Sequence, residues 1–186
     1  MEIIMKLKTV IMAFFMLLFW NPNTIFAKSP PVPAVHFPFD VSRSDTTLNQ
    51  QFQIHDARSY VFAIKFDYFG HEDLYRVLAL VGDGSTQYLG IRIPIHLKIF
   101  KLHSESLPPE LIYEDTISTK EHYAHGFERD QKNGNYEREI VTIDLQPGIY
   151  RVEANTIKDS QEFSGTPSQL LIEFHPNIKF LPKSKR

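Results

Sequence analysis

The closest approach to a metal-binding set of side chains lies between residues 121 and 128. His122 and His125 are three residues apart, and Glu121 and Glu128 flank them. On a helix this spacing would turn both imidazole rings toward one ion, but the surrounding pattern favours a strand or loop, where it does not place them on one face. We therefore interpret these residues as exposed polar side chains and predict no metal site.

Carboxylates are dense in the same part of the chain, where two of them could act as a general acid and base. They are Glu105, Glu110, Glu114, Asp115, Glu121, Glu128 and Asp130. Glycoside hydrolysis needs two carboxyl groups about 5 to 10 Å apart across a cleft, and nothing in the spacing selects a pair. A solvated acidic face is the simpler interpretation, and if that face has a function, it steers a basic protein partner.

The other candidate motifs are incomplete. Residues 82–86 (GDGST) are glycine-rich like a phosphate loop, but they lack the Walker lysine, and no helical pattern follows to supply a positive dipole. We predict a hairpin turn there. The serines lack the context of a nucleophile elbow, and the absence of cysteine excludes thiol catalysis. The sequence therefore predicts a protein with no catalytic residue and no cofactor.

Aromatic residues make up 13% of the chain and fall into two groups. The first lies on predicted inward faces and forms core: Tyr60, Phe62, Phe66, Tyr150 and Phe174. The second lies in or near predicted turns, where aromatic side chains are typical of contact surfaces: Tyr88, Tyr113, Tyr123, Phe127 and Tyr136. Together with nearby carboxylates they give a candidate binding site: Tyr113, Glu114, Asp115, Glu121, Tyr123, Phe127 and Glu128.

The elements that position these side chains are predicted from period-two alternation of apolar and polar residues. The alternation is clearest at residues 91–100, where five aliphatic side chains share one face. It recurs at 59–66, 150–154 and 169–174. A helix would spread such residues around its circumference, whereas a strand places them on one side.

Other local signals complete the predicted fold. Pro94 removes a backbone donor, so its strand is expected at a sheet edge or with a bulge there. Residues 74–81 are apolar on both faces apart from Arg76, which predicts a central strand. Turns are expected at Pro147-Gly148, which fits a type II turn, and at Asn133-Gly134. With no helical stripe over three turns, we predict an all-β protein: an antiparallel β-sandwich, immunoglobulin-like or jelly-roll-like.

Residues 104–135 break this regular pattern. Two short strands, at 111–113 and 122–127, are expected there on long connections. Connections of that length in a compact domain are either disordered or functional, and the residues alone leave both alternatives open.

The first 27 residues have the layout of a cleavable signal peptide. Lys6 and Lys8 give a positive flank to the apolar run 10–20, and a small residue, Ala27, precedes the expected cut. That run spans 11 residues, whereas a membrane-spanning helix needs about 20. An uncleaved anchor is the alternative. We expect export to the periplasm, or secretion, with no stable membrane anchor after cleavage.

The mature chain reads as one domain. Residues 28–34 hold three prolines and predict an extended leader, which leaves 35–186 for a single sandwich. Removing two lysines and one glutamate with the signal takes 20 basic and 22 acidic residues to 18 and 21, a charge of −3. Near-neutral charge argues against a nucleic-acid partner. An exported domain without cysteine depends on its core for stability.

Four stretches resemble an uncharacterised family of exported Gram-negative proteins, a domain of unknown function. They are 37–42 (FPFDVS), 60–66 (YVFAIKF), 93–95 (IPI) and 145–150 (LQPGIY), and the similarity runs over about 37–174. The resemblance implies a β-sandwich with a binding role, and it transfers no catalytic residue. Some exported proteins of this general type act as immunity proteins against toxins delivered into the periplasm.

These observations give three functional hypotheses. The first is a periplasmic binding module without catalytic activity whose partner is another protein, such as a toxin that it blocks as an immunity protein. The alternative is a carbohydrate- or ligand-binding sandwich of the cell envelope, in which Tyr113, Tyr123 and Phe127 stack on sugar rings. The third is a hydrolase that uses carboxylates of residues 104–135.

Overall fold

The structure is a computed structural model that describes residues 34–82, 90–103, 106–119 and 133–174. The elements, in chain order, are β1 (Val35–Pro38), β2 (Thr47–Ile54), β3 (Arg58–Phe69), α1 (Gly70–Val81), β4 (Ile93–Leu102), β5 (Glu110–Thr119), β6 (Asn133–Leu145), β7 (Gly148–Thr156), a 3-10 turn (Gln161–Phe163) and β8 (Ser168–Phe174). Across these described ranges, no helix has the length and apolar character that crossing a membrane requires.

The strands form two four-stranded sheets in which every pair is antiparallel. Sheet A has the order β1-β8-β3-β6, and sheet B has the order β2-β7-β4-β5. The pairing is nested, because the first strand pairs with the eighth, the second with the seventh, the third with the sixth and the fourth with the fifth. The chain therefore runs as one long double-stranded ribbon that folds over to give two layers.

The core lies between the two sheets and follows the predicted alternation. The four inward side chains of β4, Ile93, Ile95, Leu97 and Ile99, are fully buried. Phe52 of sheet B meets Phe62 of sheet A edge to face, with ring centroids 6.0 Å apart. Burying each such side chain stabilises the fold by about 1.5–3 kcal/mol. The prediction of an antiparallel β-sandwich is confirmed at the level of two packed four-stranded sheets.

Residues 74–81, predicted as a central strand, belong to α1, so that prediction is wrong. The residues on one helical face pack inward: Val77 and Val81 are buried, and Leu74 and Leu78 pack against the core. The helix also has a start signal, because the Asp73 carboxylate accepts a hydrogen bond from the Phe69 N–H at 2.8 Å. A run that is apolar at consecutive positions fits both periods, and here the capping carboxylate and the tertiary packing select the helix.

Pro94 does not lie in an edge strand, because β4 is between β7 and β5. The proline is the second residue of β4, at the end of its pairing with β7, where its carbonyl accepts the Ile157 N–H at 3.2 Å. One missing donor at that position shortens the ladder without interrupting it. The register shift in β4–β5 falls at Ile99/Phe100 instead.

The predicted turns have different outcomes. A turn joins β6 to β7 at the predicted place, but Gly148 is already the first residue of β7 and its φ of 157° is not that of a type II turn. Asn133-Gly134 is not a turn but the start of β6, where Gly134 pairs with Tyr68. A Cβ at Gly134 would meet the Tyr68 phenol ring, so glycine is required there by packing. Residues 83–89, which hold most of the glycine-rich segment, lie outside the described residues.

The described residues of the segment 104–135, namely 106–119 and 133–135, are more regular than predicted. The expected three-residue strand at 111–113 is part of β5, which has ten residues. The expected strand at 122–127 and the histidine pair within it lie outside the described residues.

Candidate functional site

The outward face of sheet B collects polar side chains from all four of its strands. Side chains alternate along each strand, so positions that alternate with the core residues share this face. One row across the sheet is Asn49, Glu153, Lys98 and Glu114, and the next is Thr47, Asn155, His96 and Thr116. Most of these residues line a groove of about 290 Å³. We call it the sheet-B groove.

An ion-pair network occupies one side of the groove. The Glu114 carboxylate lies 2.8 Å from the Lys98 ammonium and 3.3 Å from His96 Nε2. The other ring nitrogen of His96 lies 3.0 Å from the Thr116 hydroxyl. The hydrogen bond from Lys98 is the main reason that the pKa of Glu114 lies below its usual value. The same bond raises the pKa of Lys98.

The electrostatic environment of Glu114 is the opposite of the one that a catalytic acid needs. A catalytic acid needs a pKa raised toward neutrality so that it holds its proton until the reaction. The pKa of Glu114 is lowered instead, so this carboxyl stays ionised. Among the described residues, no group of three or more metal-ligating side chains is close enough to hold an ion. The groove therefore presents fixed charges and hydrogen-bonding groups.

Two polar atoms at this face lack a hydrogen-bond partner within the part of the chain that the structure describes. They are Asn155 Oδ1, in the groove, and Arg151 Nε beside it. The Arg151 guanidinium also pairs with Glu153 at 3.1 Å and lies 4.6 Å from the centre of the Phe100 ring. A buried acceptor without a donor is a position where a ligand or partner group gains a hydrogen bond.

The end of the same face next to the β4–β5 connection is apolar. Register places four side chains there: Phe100 opposite Leu111, and Leu102 opposite Ile149. We call these four residues the apolar patch. Leu111 and Ile149 are each 49% exposed, and the bulged Ile112 beside Leu111 is 36% exposed. Large aliphatic side chains exposed together on one face, next to charged residues, are typical of an interaction surface.

The structure separates the predicted site residues. Glu114 lies on the outward face, at the groove. Tyr113 is opposite the core residue Ile99, packs against the core, and has a pKa raised first by burial and then by Asp115. Asp115 is exposed, and its carboxylate accepts the Thr116 N–H at 2.7 Å. The other four, Glu121, Tyr123, Phe127 and Glu128, lie outside the described residues.

Sequence reasoning missed His96, Lys98, Asn155 and the apolar patch. A signal for the first two was present, since they are the polar half of the clearest alternating strand. Their partner Glu114 is 16 residues from Lys98 in the chain, and only the register of β4 with β5 brings the two together. Besides Tyr113, a second predicted contact aromatic, Tyr136, is 6% exposed and belongs to the core, and Tyr88 lies outside the described residues.

Two buried ionisable residues lie away from the groove. Arg138 of β6 is fully buried and donates to the Ile91 and Thr119 carbonyls, the latter at 2.9 Å. It thereby ties sheet A to the beginning of β4 and the end of β5. Burial lowers the pKa of Arg138 to about 10.

Glu137 lies on the outer face of sheet A, opposite Lys65 of β3, and is 9% exposed. Burial, together with the charge and hydrogen bond of Glu173, raises the pKa of Glu137 to about 8. Lys65 lowers it, but the Lys65 ammonium also pairs with Asp67 at 3.0 Å. Glu137 therefore holds its proton at neutral pH.

Comparison with known proteins identifies a family and a fold. The profile of a domain of unknown function (DUF5625) matches residues 36–174. The crystal structure of a protein from Sulfurospirillum deleyianum superposes with a TM-score of 0.65 at 18% identity, covering 78% of this chain and 99% of that one. At that identity the similarity shows the fold alone.

Other comparisons add no argument. The infectious bursal disease virus VP2 subviral particle aligns with a TM-score of 0.29 at 8% identity, covering 84% of this chain and 36% of that chain. A similarity at this level does not bear on fold or function. No curated protein matches the sequence.

Proposed function

The chain belongs to the DUF5625 family, a domain of unknown function, and we propose that it is an exported protein-binding module without catalytic activity that recognises its partner through the outward face of sheet B. The observation that carries this proposal is the apolar patch beside the sheet-B groove. Protein interfaces combine a centre of apolar contacts with a polar rim. Here Leu111 and Ile149 supply exposed apolar side chains, and the Lys98–Glu114 pair supplies adjacent charge.

Export is part of the proposal. The apolar run at 10–20 after Lys6 and Lys8, followed by Ala27, supports a cleavable signal peptide and a periplasmic or secreted location. Fractionation of cells that express a C-terminally tagged chain tests it: we expect the tag in the periplasm, on a protein shortened by about 27 residues. Full-length protein retained in the cytoplasm contradicts this part.

The nested strand pairing supports the jelly-roll alternative over the immunoglobulin-like one. In immunoglobulin domains the chain-ordered strands divide four and three between sheets that hold A, B, E and D against C, F and G. Here the eight strands divide equally, and the first pairs with the last. Jelly-roll domains serve as lectins and as capsid building blocks, so this architecture is compatible with either a protein or a sugar as the ligand.

A toxin delivered by a secretion system is the partner class that we propose, with this protein as the immunity protein that blocks it. An inhibitor of this kind needs surface complementarity and no catalytic group. The test is a co-culture in which a strain lacking the gene meets siblings that retain their secretion apparatus. Wild-type protein is expected to restore survival, and unchanged survival of the deletion strain contradicts the proposal.

Surface variants make the same co-culture specific to sheet B. Ile149→Asp places a charge in the apolar patch and is expected to abolish rescue. Tyr75→Asp is the matched control, because Tyr75 is 52% exposed on α1 and outside sheet B. Rescue by Ile149→Asp as complete as by wild type argues against the face. Both variants are first checked for native circular dichroism.

A carbohydrate ligand is the second candidate, and the groove is the observation that favours it. Asn49, Asn155 and Glu153 offer the amide and carboxylate groups that hydrogen-bond sugar hydroxyls. Calorimetric titration of cell-envelope glycans tests it, with Asn155→Ala expected to remove any heat of binding. Absence of heat across a glycan panel eliminates this candidate and leaves the protein-binding proposal standing.

A further inference from the structure

Among the described residues, strand β5 is the end of sheet B, and its outer side is exposed between residues 110 and 116, whereas Thr119 is buried and its carbonyl accepts from Arg138. Strand β5 pairs with β4, and no other strand of the described ranges pairs with it. The Thr116 N–H donates to the Asp115 carboxylate at 2.7 Å. Six of its residues are exposed: Glu110, Leu111, Ile112, Glu114, Asp115 and Thr116. An edge strand with free backbone groups is a template for a further strand.

The charge on this edge is of one sign. Residues 110–119 (ELIYEDTIST) contain three carboxylates and no lysine, arginine or histidine. The pairs that these carboxylates form in the described part of the chain are Glu114 with Lys98 and His96, and Glu110 with His103, and all are made with residues on the β4 side. Asp115 has no ion pair among the described residues. Opposite charges placed across neighbouring strands stabilise pairing, and like charges oppose it.

We propose that β5 receives an extended segment of the partner protein in which basic residues alternate with aliphatic ones, and that this segment continues sheet B as a further strand. The inference rests on the proposed function and names the part of the partner that is recognised. Backbone hydrogen bonds to β5 supply affinity. The basic side chains of an alternating segment all lie on one face, so Asp115 selects the lysine or arginine, and Glu114, on the opposite face of β5, is already paired with Lys98. Leu111 and Ile112 give aliphatic contacts at one end.

A second copy of this chain fits the edge less well. Antiparallel pairing of β5 with itself around its centre places Glu114 and Asp115 opposite the same carboxylates of the other copy. Like charges in that position destabilise the pair. The bulge at Ile112 also interrupts the strand, which leaves Tyr113–Thr119 as the regular stretch, about 24 Å long at 3.4 Å per residue.

The test uses the mature protein and synthetic peptides of about eight residues, a typical strand length. One peptide alternates valine with lysine, a second alternates valine with glutamate, and a third is the lysine peptide with alternate amides N-methylated so that they cannot donate. We expect the lysine peptide alone to bind in fluorescence anisotropy, with an affinity that falls as salt rises. Equal binding of all three peptides, or no binding up to millimolar concentration, overturns the proposal.

Protein variants place the peptide on β5. Asp115→Lys is expected to weaken binding of the lysine peptide by about tenfold. Glu162→Lys, the same charge change at an exposed residue of the 3-10 turn, is the matched control and is expected to leave affinity unchanged. Thr116→Pro interrupts the exposed stretch of β5 and is expected to abolish binding. If this variant does not fold, the N-methylated peptide provides the same information. Equal affinities of Asp115→Lys and wild type overturn the assignment to β5.

Failure of the β5 proposal can be distinguished from failure of the proposed function. If Ile149→Asp no longer restores survival in co-culture while Asp115→Lys restores it fully, the proposal for β5 fails, but the assignment of the binding face to sheet B is supported. If neither variant changes rescue, the binding face fails as well. Size-exclusion chromatography of the wild-type protein alone reports self-pairing, and a dimer that Thr116→Pro abolishes would assign the edge to a second copy and overturn the proposed occupant.

Discussion

Replacing Glu137 by glutamine changes how the stability of the protein depends on pH. The pKa of this carboxyl rises from 4.5 to about 8, first because it is buried and then because of Glu173. Between those two values the folded protein holds a proton that the unfolded chain has released. The contribution of Glu137 to the free energy of unfolding is therefore fully present below pH 4.5 and is lost as pH rises toward 8.

The magnitude follows from the size of the rise. Each pKa unit corresponds to about 1.4 kcal/mol, so the free energy of unfolding falls by at most about 5 kcal/mol across this window. Because part of the rise comes from the charge and hydrogen bond of Glu173 rather than from burial alone, we expect about 2–4 kcal/mol. Glutamine has the shape of the protonated acid. Glu137→Gln is expected to match wild type at pH 5 and to exceed it by that amount above pH 8.

Urea unfolding at a series of pH values between 5 and 9 measures this difference. Glu162→Gln, at an exposed residue, is the control and should follow wild type at every pH. His36, on β1 in sheet A, has a pKa lowered first by burial, so it makes stability fall as pH drops below its ordinary value of 6.5. That effect is common to all three proteins. A Glu137→Gln profile parallel to wild type from pH 5 to 9 refutes the reasoning.

Two further predictions concern the fold. Gly90→Ala is expected to lower the free energy of unfolding by about 3 kcal/mol or more, because φ is +68° and a Cβ would collide with the Val81 carbonyl. Gly165→Ala, at φ +78° with open space around it, should lower it by about 1–2 kcal/mol. Urea unfolding measures both losses, and equal losses contradict the steric argument. Arg138→Met is expected to lower the free energy of unfolding by about 1–3 kcal/mol. Two carbonyls lose a charged donor, and this loss is partly offset because a buried charge is removed. Arg138→Ala should lower it further because it also leaves a cavity. A stabilised alanine variant would show that the arginine does not tie the sheets together.

The strands could be predicted from the sequence because their inward residues are aliphatic or aromatic and their outward residues are polar. Ile93 to Ile99 alternate with Pro94, His96 and Lys98, which only a strand separates into two faces. At α1 the same reasoning failed, since Leu74 to Val81 are apolar on both faces of a strand. The spacing of Leu74, Val77 and Val81 and the acidic Asp73 were the available helix signals.

The site was less accessible to prediction for a different reason. Glu114 was identified from its type, but its partners Lys98 and His96 are on another strand, and their contact depends on register. Register is fixed by how the whole sheet packs, and a slip of one residue moves every side chain to the opposite face. Tyr113 shows the consequence, because it is adjacent to Glu114 in sequence and points into the core side of the sheet.

Site-specific photo-crosslinking in living cells tests the central claim most directly. A photoreactive amino acid is placed at Ile149, in the apolar patch, and at Tyr75 of α1 as an equally exposed control. We predict a discrete adduct with one partner protein from Ile149, absent from Tyr75 and lost when Lys98→Glu reverses the adjacent charge. No adduct from Ile149, or the same adduct from both positions, contradicts the assignment of the binding face to sheet B.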